Sequence, residues 1–170
     1  GAGFGKPVPV VDPAALGTPN NPTQLTAGSA AEYFDVGHFD AAWFDSRRLA
    51  LTGGEFGEPA FVSLLDTRSD PDAPVNELII TGIAGASAGV AFDAAGRLYT
   101  ANGYADGTGS DTGNIRVFAV DAWSGGADFE SEGLLLGDIL SGNSLAFDHA
   151  GNLFVGGGDF GDFDAGSLGI

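Results

Sequence analysis

Short apolar runs alternate with glycine- and aspartate-rich stretches along the whole chain. The runs are rich in Val, Leu, Ile, Phe and Tyr, and none has the length and helical spacing that predict an amphipathic helix. The Gly and Asp residues between the runs favour turns, because Gly accepts a positive φ and Asp accepts backbone hydrogen bonds. The pattern predicts an all-β protein.

The chain contains an internal repeat. The segments that align with one another are residues 38–66, 86–121 and 141–170. Each segment has an aspartate at the end of its first apolar run, and these residues are Asp45, Asp93 and Asp148. Self-similarity at a regular spacing is typical of proteins built from stacked structural units. The sequence therefore predicts repeated units of similar structure.

Each unit predicts four strands. The first two strands form a hairpin, closed by turns at residues 93–96 and 148–151, where a Gly follows the Asp by three residues. A third strand follows a glycine-rich loop, and a fourth strand is predicted at residues 77–81 and 133–140. Apolar side chains on both faces of these strands predict sheets that are buried between neighbouring sheets.

Two stretches of the repeat, "GVAFDAAGRLYTANG" and "SLAFDHAGNLFVGGG", resemble the inner strands of NHL-type and senescence-marker/gluconolactonase-type β-propellers. The shared pattern is apolar-Ala-apolar-Asp, a Gly three residues later, and an apolar strand that contains Tyr or Phe. The resemblance implies an all-β propeller made of four-stranded antiparallel blades. This chain would supply about three blade equivalents, and closed rings have about four to eight.

The predicted blades are out of phase with the two ends of the sequence. Residues 1–12 resemble residues 53–66, so we expect residues 1–35 to form the second half of a blade. Two whole blades and the first half of another are predicted at residues 36–84, 85–140 and 141–170. An open sheet edge pairs readily with further strands. We therefore expect either a cleaved longer protein or a ring completed by another chain.

Acidic residues dominate the charged positions. The chain has 23 Asp and Glu against 6 Lys and Arg, which gives a net charge of −17. This charge repels phosphate backbones and anionic headgroups, which argues against nucleic-acid binding and electrostatic membrane binding. No apolar stretch approaches the roughly 20 residues of a membrane-spanning helix. The acidity, with the lack of Cys and Met, favours an extracytoplasmic or secreted protein whose small partners are cations.

The resemblance to gluconolactonase-type propellers implies a second class of function, a metal-dependent lactonase or phosphotriesterase. Asn143 matches a metal-ligand position of that family, although Ser144 replaces the Gly that follows it. The glutamate ligand of the family would fall at Phe39 and is therefore missing. His38, Asp40 and Asn143 are candidates for side chains that face a central channel. A His beside a carboxylate suits proton transfer or metal binding, and a hydrogen-bonding His at the channel rim is the alternative.

Acidic, glycine-rich loops after the second strands give the candidate metal site. Closely spaced carboxylates on a flexible loop can converge as oxygen donors, which Ca²⁺ prefers. Neither EF-hand nor glycine-rich nonapeptide spacing is present, and solvated acids that keep an exposed edge charged are the alternative interpretation. The candidate calcium ligands are Asp106, Asp111, Asp159, Asp162 and Asp164.

Taken together, these features favour a binding or scaffold module in which calcium is structural. The metal-dependent hydrolase is the alternative, and a proteolytic remnant whose function belonged to other residues is a third hypothesis. No nucleophile elbow, phosphate-binding loop or zinc-ligand spacing is present. The predicted partner is another chain that completes the propeller.

Overall fold

The computed structural model describes residues 37–55, 58–69, 75–85, 88–102, 112–140, 142–158 and 166–169, with two short strands nearer the N-terminus. The strands are β1 (Gly17–Thr18), β2 (Asn21–Pro22), β3 (Gly37–Trp43), β4 (Arg48–Gly54), β5 (Ala60–Asp66), β6 (Asn76–Ile83), β7 (Ala88–Phe92), β8 (Leu98–Asn102), β9 (Thr112–Phe118), β10 (Ala127–Asp128), β11 (Leu134–Leu140), β12 (Ser144–Phe147), β13 (Leu153–Gly158) and β14 (Gly166–Gly169). The helices are α1 (Val120–Trp123) and α2 (Phe129–Glu132). Apart from β1 and β2, the half-blade predicted within residues 1–35 lies outside the described residues.

The strands from β3 onward form three sheets. The first sheet has the order β3, β4, β5, β6, β10; the second has β7, β8, β9, β11; and the third has β12, β13, β14. Neighbouring strands are antiparallel, except that β10 lies parallel to β6. Each of these sheets is open within the described residues. The protein is therefore all-β and is built from several antiparallel sheets.

The strands occupy the positions that the sequence pattern predicts. In the first and second sheets the hairpin strands come first, and the strands at the far side of the meander are β6 and β11. These two strands coincide closely with the fourth strands predicted at residues 77–81 and 133–140. The third sheet stops at β14, which pairs with β13 as a third strand does.

Two apolar clusters hold the three sheets together. The first cluster joins side chains of the first sheet, such as Val62 and Ile80, to Val90 and Phe118 of the second sheet. The second cluster joins the opposite face of the second sheet to Leu145 and other residues of the third sheet. The second sheet is therefore buried on both faces, as the apolar character of both faces of its strands predicts.

Side-chain alternation explains how one strand contributes to both clusters. Successive residues of a strand point to opposite faces of the sheet. Val90 accordingly lies in the first cluster and Ala91 in the second, and Leu98 and Tyr99 divide in the same way. The polar residues of β8, Thr100 and Asn102, are buried as well, and the Thr100 hydroxyl donates to the Gly89 carbonyl at 2.6 Å.

The first strands of the three sheets, β3, β7 and β12, are called the inner strands because β7 contacts both of the others. β7 and β12 approach each other closely at Gly89. The Gly89 N–H donates to the Gly142 carbonyl at 3.1 Å, which joins the second sheet to the start of the third. A Cβ added at Gly89 would overlap the Leu145 side chain and would lie 3.0 Å from the Ser144 nitrogen. Glycine is needed at this position because the two backbones leave no room for a side chain.

The connection between β9 and β11 crosses over to the first sheet, which the sequence pattern does not predict. It contains α1, β10 and α2, and β10 pairs with β6 at Ile80 and Thr81. The buried side chains of Trp123 and Phe129 anchor it in the first cluster. The indole N–H of Trp123 donates to the Gly96 carbonyl at 3.0 Å, so the ring has its polar partner inside the core.

Replacing Gly89 tests the close approach of the inner strands. We expect Gly89→Ala to lower the free energy of unfolding by about 1–3 kcal/mol, because the added methyl group must push the third sheet away. Gly156→Ala is the matched control, since its Cβ would meet the Ser144 carbonyl at an ordinary 3.9 Å. Urea unfolding of both variants measures the difference. Equal stability of the two variants would contradict the close packing of β7 on β12.

Candidate functional site

Asp40 lies where the inner strands of the three sheets meet. It belongs to β3, whose register with β4 shifts between His38 and Ala41. Such a bulge turns a side chain away from the direction that regular pleating would give it. The backbone is held on both sides of the residue, because the Asp40 N–H donates to the Thr52 hydroxyl at 2.9 Å and that hydroxyl donates to the Asp40 carbonyl at 3.3 Å.

The Asp40 carboxylate accepts hydrogen bonds from two other sheets. Its Oδ2 atom accepts from the Val90 N–H of β7 at 3.0 Å and from the Leu145 N–H of β12 at 3.3 Å. Its Oδ1 atom accepts from the Ala41 N–H at 2.9 Å. One half-buried side chain thus links the first strand of all three sheets.

This arrangement satisfies backbone groups that the sheets themselves leave unpaired. Val90 and Leu145 lie on strands that end the hydrogen-bonded order of their sheets, so some of their amides point away from the ladder. An unpaired N–H in a partly buried position costs free energy, and a charged acceptor forms a stronger bond than a neutral one. Asp40 therefore has an evident structural role at the convergence of the strands.

The other predicted channel residues take different places. His38 lies in β3 and pairs with Gly53, and its side chain is outside the described residues. Asn143 is half-buried just before β12, and its backbone N–H donates to the Gly156 carbonyl at 3.0 Å. Within the described residues, the structure thus brings Asp40 and the start of β12 together.

The structure describes the position at which the hydrolase resemblance expects a glutamate ligand. Phe39, which occupies the position of the family's glutamate, is 52% exposed and supplies no ligand atom. Among the described residues, no three His, Cys, Asp or Glu side chains are grouped to hold a metal ion. The predicted calcium ligands Asp106, Asp111, Asp159, Asp162 and Asp164 all lie outside the described residues.

The three hairpin turns use the same hydrogen-bond pattern. In each turn one oxygen of the aspartate accepts from two backbone N–H groups that follow it in the chain. Gly96 and Gly151 adopt positive φ of 81° and 87° in the second and third turns. The first turn is one residue shorter and has no Gly. In all three turns the other carboxylate oxygen accepts from the side chain that follows the turn, which is Arg48, Arg97 or Asn152. The aspartates at the predicted turns therefore stabilise the hairpins.

These hydrogen bonds lower the pKa values of the turn aspartates. For Asp45 the main cause is the backbone N–H of Arg47, and for Asp148 it is the side chain of Asn152. Burial by itself raises the pKa of Asp93, but the hydrogen bonds from Arg97 and its neighbours outweigh burial and lower the pKa overall. The ionised form of each aspartate is thus the form that the turn favours.

A shallow cleft of about 430 Å³ lies beside the first turn, between the Arg48 end of β4 and the start of β6. Arg47 and Arg48, which line it, already form ion pairs with Asp66 and Asp45. The hydrogen bond from Arg47 lowers the pKa of Asp66 to about 2. These four charges are therefore paired with one another, and Glu77 is a further charged residue that lines the cleft.

The turn aspartates predict a specific pH dependence of stability. The pKa of Asp148 is lower in the folded protein than the ordinary value of about 3.9, so its ionised form stabilises the fold above that pH. This stabilisation is lost as the pH falls through the folded-state pKa. We therefore expect Asp148→Asn to be destabilising near neutral pH and to approach the wild type in acid. Urea unfolding between about pH 7 and pH 2.5 measures the difference.

The exposed loop residue Glu58 provides the control for this prediction. Glu58→Gln removes one negative charge, as Asp148→Asn does, but it removes no hydrogen-bond acceptor from a turn. Its effect on the free energy of unfolding therefore measures the general reduction of repulsion between acidic residues. A difference between Asp148→Asn and the wild type that grows as the pH falls would contradict the role of the ionised aspartate.

No family model, curated protein or solved structure matches the chain. Within the described residues, no helix has the length and apolar character needed to cross a membrane. The function is therefore inferred from the geometry of this molecule alone. The convergence of the three inner strands on Asp40 is its most informative feature.

Proposed function

We propose that the three sheets are consecutive blades of a β-propeller and that the protein is an extracytoplasmic binding or scaffold module. The observation that carries this proposal is the convergence of β3, β7 and β12 on Asp40. In a propeller the first strand of each blade lies at the central axis, and the later strands lie progressively further out. The strand order of the three sheets is the one that this arrangement requires.

The same arrangement supports the proposed blade divisions. The first two sheets fall within the proposed blades 36–84 and 85–140, and the third falls within the half-blade 141–170. The short β10 is an addition, since it comes from the second blade and extends the edge of the first. The three sheets of the described residues are fewer than the roughly four to eight blades of a closed ring, so the proposal requires further blades to complete the ring.

Exposed aromatic residues on β3 support a further sheet beside the first one. Trp43 is 59% exposed, although it lies on the innermost strand of its sheet. It alternates with Ala42 and Phe44, which pack against the first cluster, so its ring lies on the opposite face. A large exposed aromatic is a frequent anchor of protein contacts. We propose that another blade, from a second copy or from a longer parent chain, covers this face.

Calcium is proposed as a structural ion in the loops that follow β8 and β13. The candidate ligands are Asp106 and Asp111 in one loop and Asp159, Asp162 and Asp164 in the other. Carboxylate oxygens suit Ca²⁺, and a net charge of −17 favours bound cations. The ion would reduce the repulsion between neighbouring carboxylates and hold each loop in one conformation.

No specific observation favours the metal-dependent lactonase or phosphotriesterase. The carboxylate nearest the proposed axis among the described residues, Asp40, is engaged with the backbone N–H groups of two other sheets. Phe39 supplies no ligand where that activity requires a glutamate. The binding or scaffold function is therefore the preferred proposal.

Native mass spectrometry of the purified chain tests the completion of the ring. We expect an assembly of at least two copies of the 17.1 kDa chain, because each copy leaves the Trp43 face for another blade. Trp43→Asp should shift the assembly to single chains, and Val75→Asp, which changes another exposed apolar residue, should leave it intact. A wild-type chain that stays single at micromolar concentration would contradict completion by a second copy.

The same spectra test the calcium proposal. The wild-type protein should retain calcium that EDTA removes, and a variant with Asp162→Asn and Asp164→Asn should retain less. Calcium binding that is equal in this variant and the wild type would exclude these two residues as ligands.

A further inference from the structure

The outermost meander strands β6 and β11 occupy equivalent positions and have the same irregularity. In the first sheet Ser63 pairs with Leu78 and Val62 pairs with Ile80, so Ile79 is an extra, bulged residue. In the second sheet Arg116 pairs with Leu135 and Ile115 pairs with Gly137, so Leu136 is the bulged residue. Ser63 of β5 pairs with Leu51 of β4, and Arg116 of β9 pairs with Thr100 of β8 in the same way. The registers to β4 and β8 therefore make the two sets of pairs equivalent.

The two bulged residues differ greatly in exposure. Ile79 is 3% exposed and belongs to the first apolar cluster, whereas Leu136 is 51% exposed. The preceding residues do not differ in this way, since Leu78 and Leu135 are 46% and 49% exposed. Another part of the chain therefore covers the bulge of β6, and no described segment covers the bulge of β11 in the same way.

The cover at β6 is the connection that contains β10 and α2. β10 lies parallel to β6 at Ile80 and Thr81, and the aromatic ring of Phe129 lies in the same cluster as Ile79. The contact is close, because a Cβ added at Gly82 would lie 2.7 Å from the Asp128 carboxylate. The sheet edge is thus completed by a short extended segment followed by an aromatic residue.

The equivalent edge of β11 has no such cover within the described residues. β11 ends the order of the second sheet, and no described strand pairs with its outer edge. Gly137 stands at the position of the fully buried Ile80, and an added Cβ there would meet nothing within 4 Å. The space that an isoleucine side chain fills in the first sheet is therefore open in the second.

The charges beside this edge indicate what kind of segment it accepts. α2 leads directly into β11, so its exposed acids Glu130 and Glu132 lie close to the start of this strand in the chain. Arg116 pairs with Glu130, but the remaining acids add to a chain of net charge −17. An acidic segment is disfavoured at this edge by repulsion, and basic flanks are favoured.

We propose that the edge of β11 binds a short extended segment of another polypeptide, one with a large aromatic side chain and basic flanking residues. Its backbone pairs in parallel with β11 as β10 pairs with β6, and its aromatic ring covers Leu136 and fills the space beside Gly137. Strand addition to an open edge, with a side chain seated in a pocket, is an established mode of peptide recognition. This inference rests on the proposed function as a binding module but does not require a closed ring.

A labelled peptide tests the inference. Its sequence is that of residues 125–133 with two lysines added at each end, and fluorescence anisotropy follows its binding to the full chain. We expect saturable binding that weakens at high salt, because the flanking charges are screened. The same peptide without the lysines should bind at least about tenfold more weakly, as should a peptide in which alanine replaces its phenylalanine.

Substitutions in the protein locate the binding site. Leu136→Asp and Gly137→Ile should each weaken binding at least about tenfold, the first by removing the apolar contact and the second by filling the open space. Leu78→Asp is the matched control, because Leu78 is as exposed as Leu136 but lies on the edge that β10 already covers. Circular dichroism and thermal unfolding should show that all three variants keep the wild-type fold.

Three results would overturn the inference. The first is the absence of saturable binding of the lysine-flanked peptide, and the second is a loss of binding in Leu78→Asp equal to that in Leu136→Asp. The third is self-association of the chain that Leu136→Asp abolishes, because a second copy would then be the occupant of the edge. Failure of the peptide to bind, with an assembly that Trp43→Asp still dissociates, would refute this inference and leave the proposed propeller intact.

Discussion

The hydrogen bonds of the Asp40 carboxylate are the interaction on which the arrangement of the sheets depends. Strands at the end of a sheet leave N–H groups without a ladder partner, and such groups need an acceptor when water has limited access. Asp40 supplies one acceptor atom to both Val90 and Leu145. Because the acceptor is charged and the two donors belong to different sheets, the bonds fix the distance between all three inner strands.

This convergence explains features further out in the molecule. Inner strands that lie so close exclude a side chain at Gly89, and apolar side chains fill the space between the sheets beyond these strands. Trp123 and Phe129 fill that space between the first two sheets, and they come from a connection that also covers the edge of β6. The outer edge of β11 lacks this cover, which makes the periphery the proposed place for partner binding.

The sequence predicts what short-range chemistry determines. The turn aspartates and glycines act through neighbours within a few residues, so the hairpins and their strands follow from the pattern. The crossing of α1, β10 and α2 could not be predicted in this way, because only burial against a distant sheet stabilises such short elements. The two large aromatic residues of this connection, Trp123 and Phe129, were the available signal. Asp40 was identified as a candidate from its position, but its donors lie 50 and 105 residues away. The predicted calcium loops fall outside the described residues.

Residue-resolved amide hydrogen exchange of the wild type and of Asp40→Ala tests the central claim most directly. If Asp40 joins the three inner strands, the Val90 and Leu145 amides are protected in the wild type, and both exchange at least about tenfold faster in the variant. The amides of β8, which are paired on both sides, serve as the internal reference and keep their rates. Unchanged exchange at both Val90 and Leu145, or acceleration at one of them alone, would contradict the account.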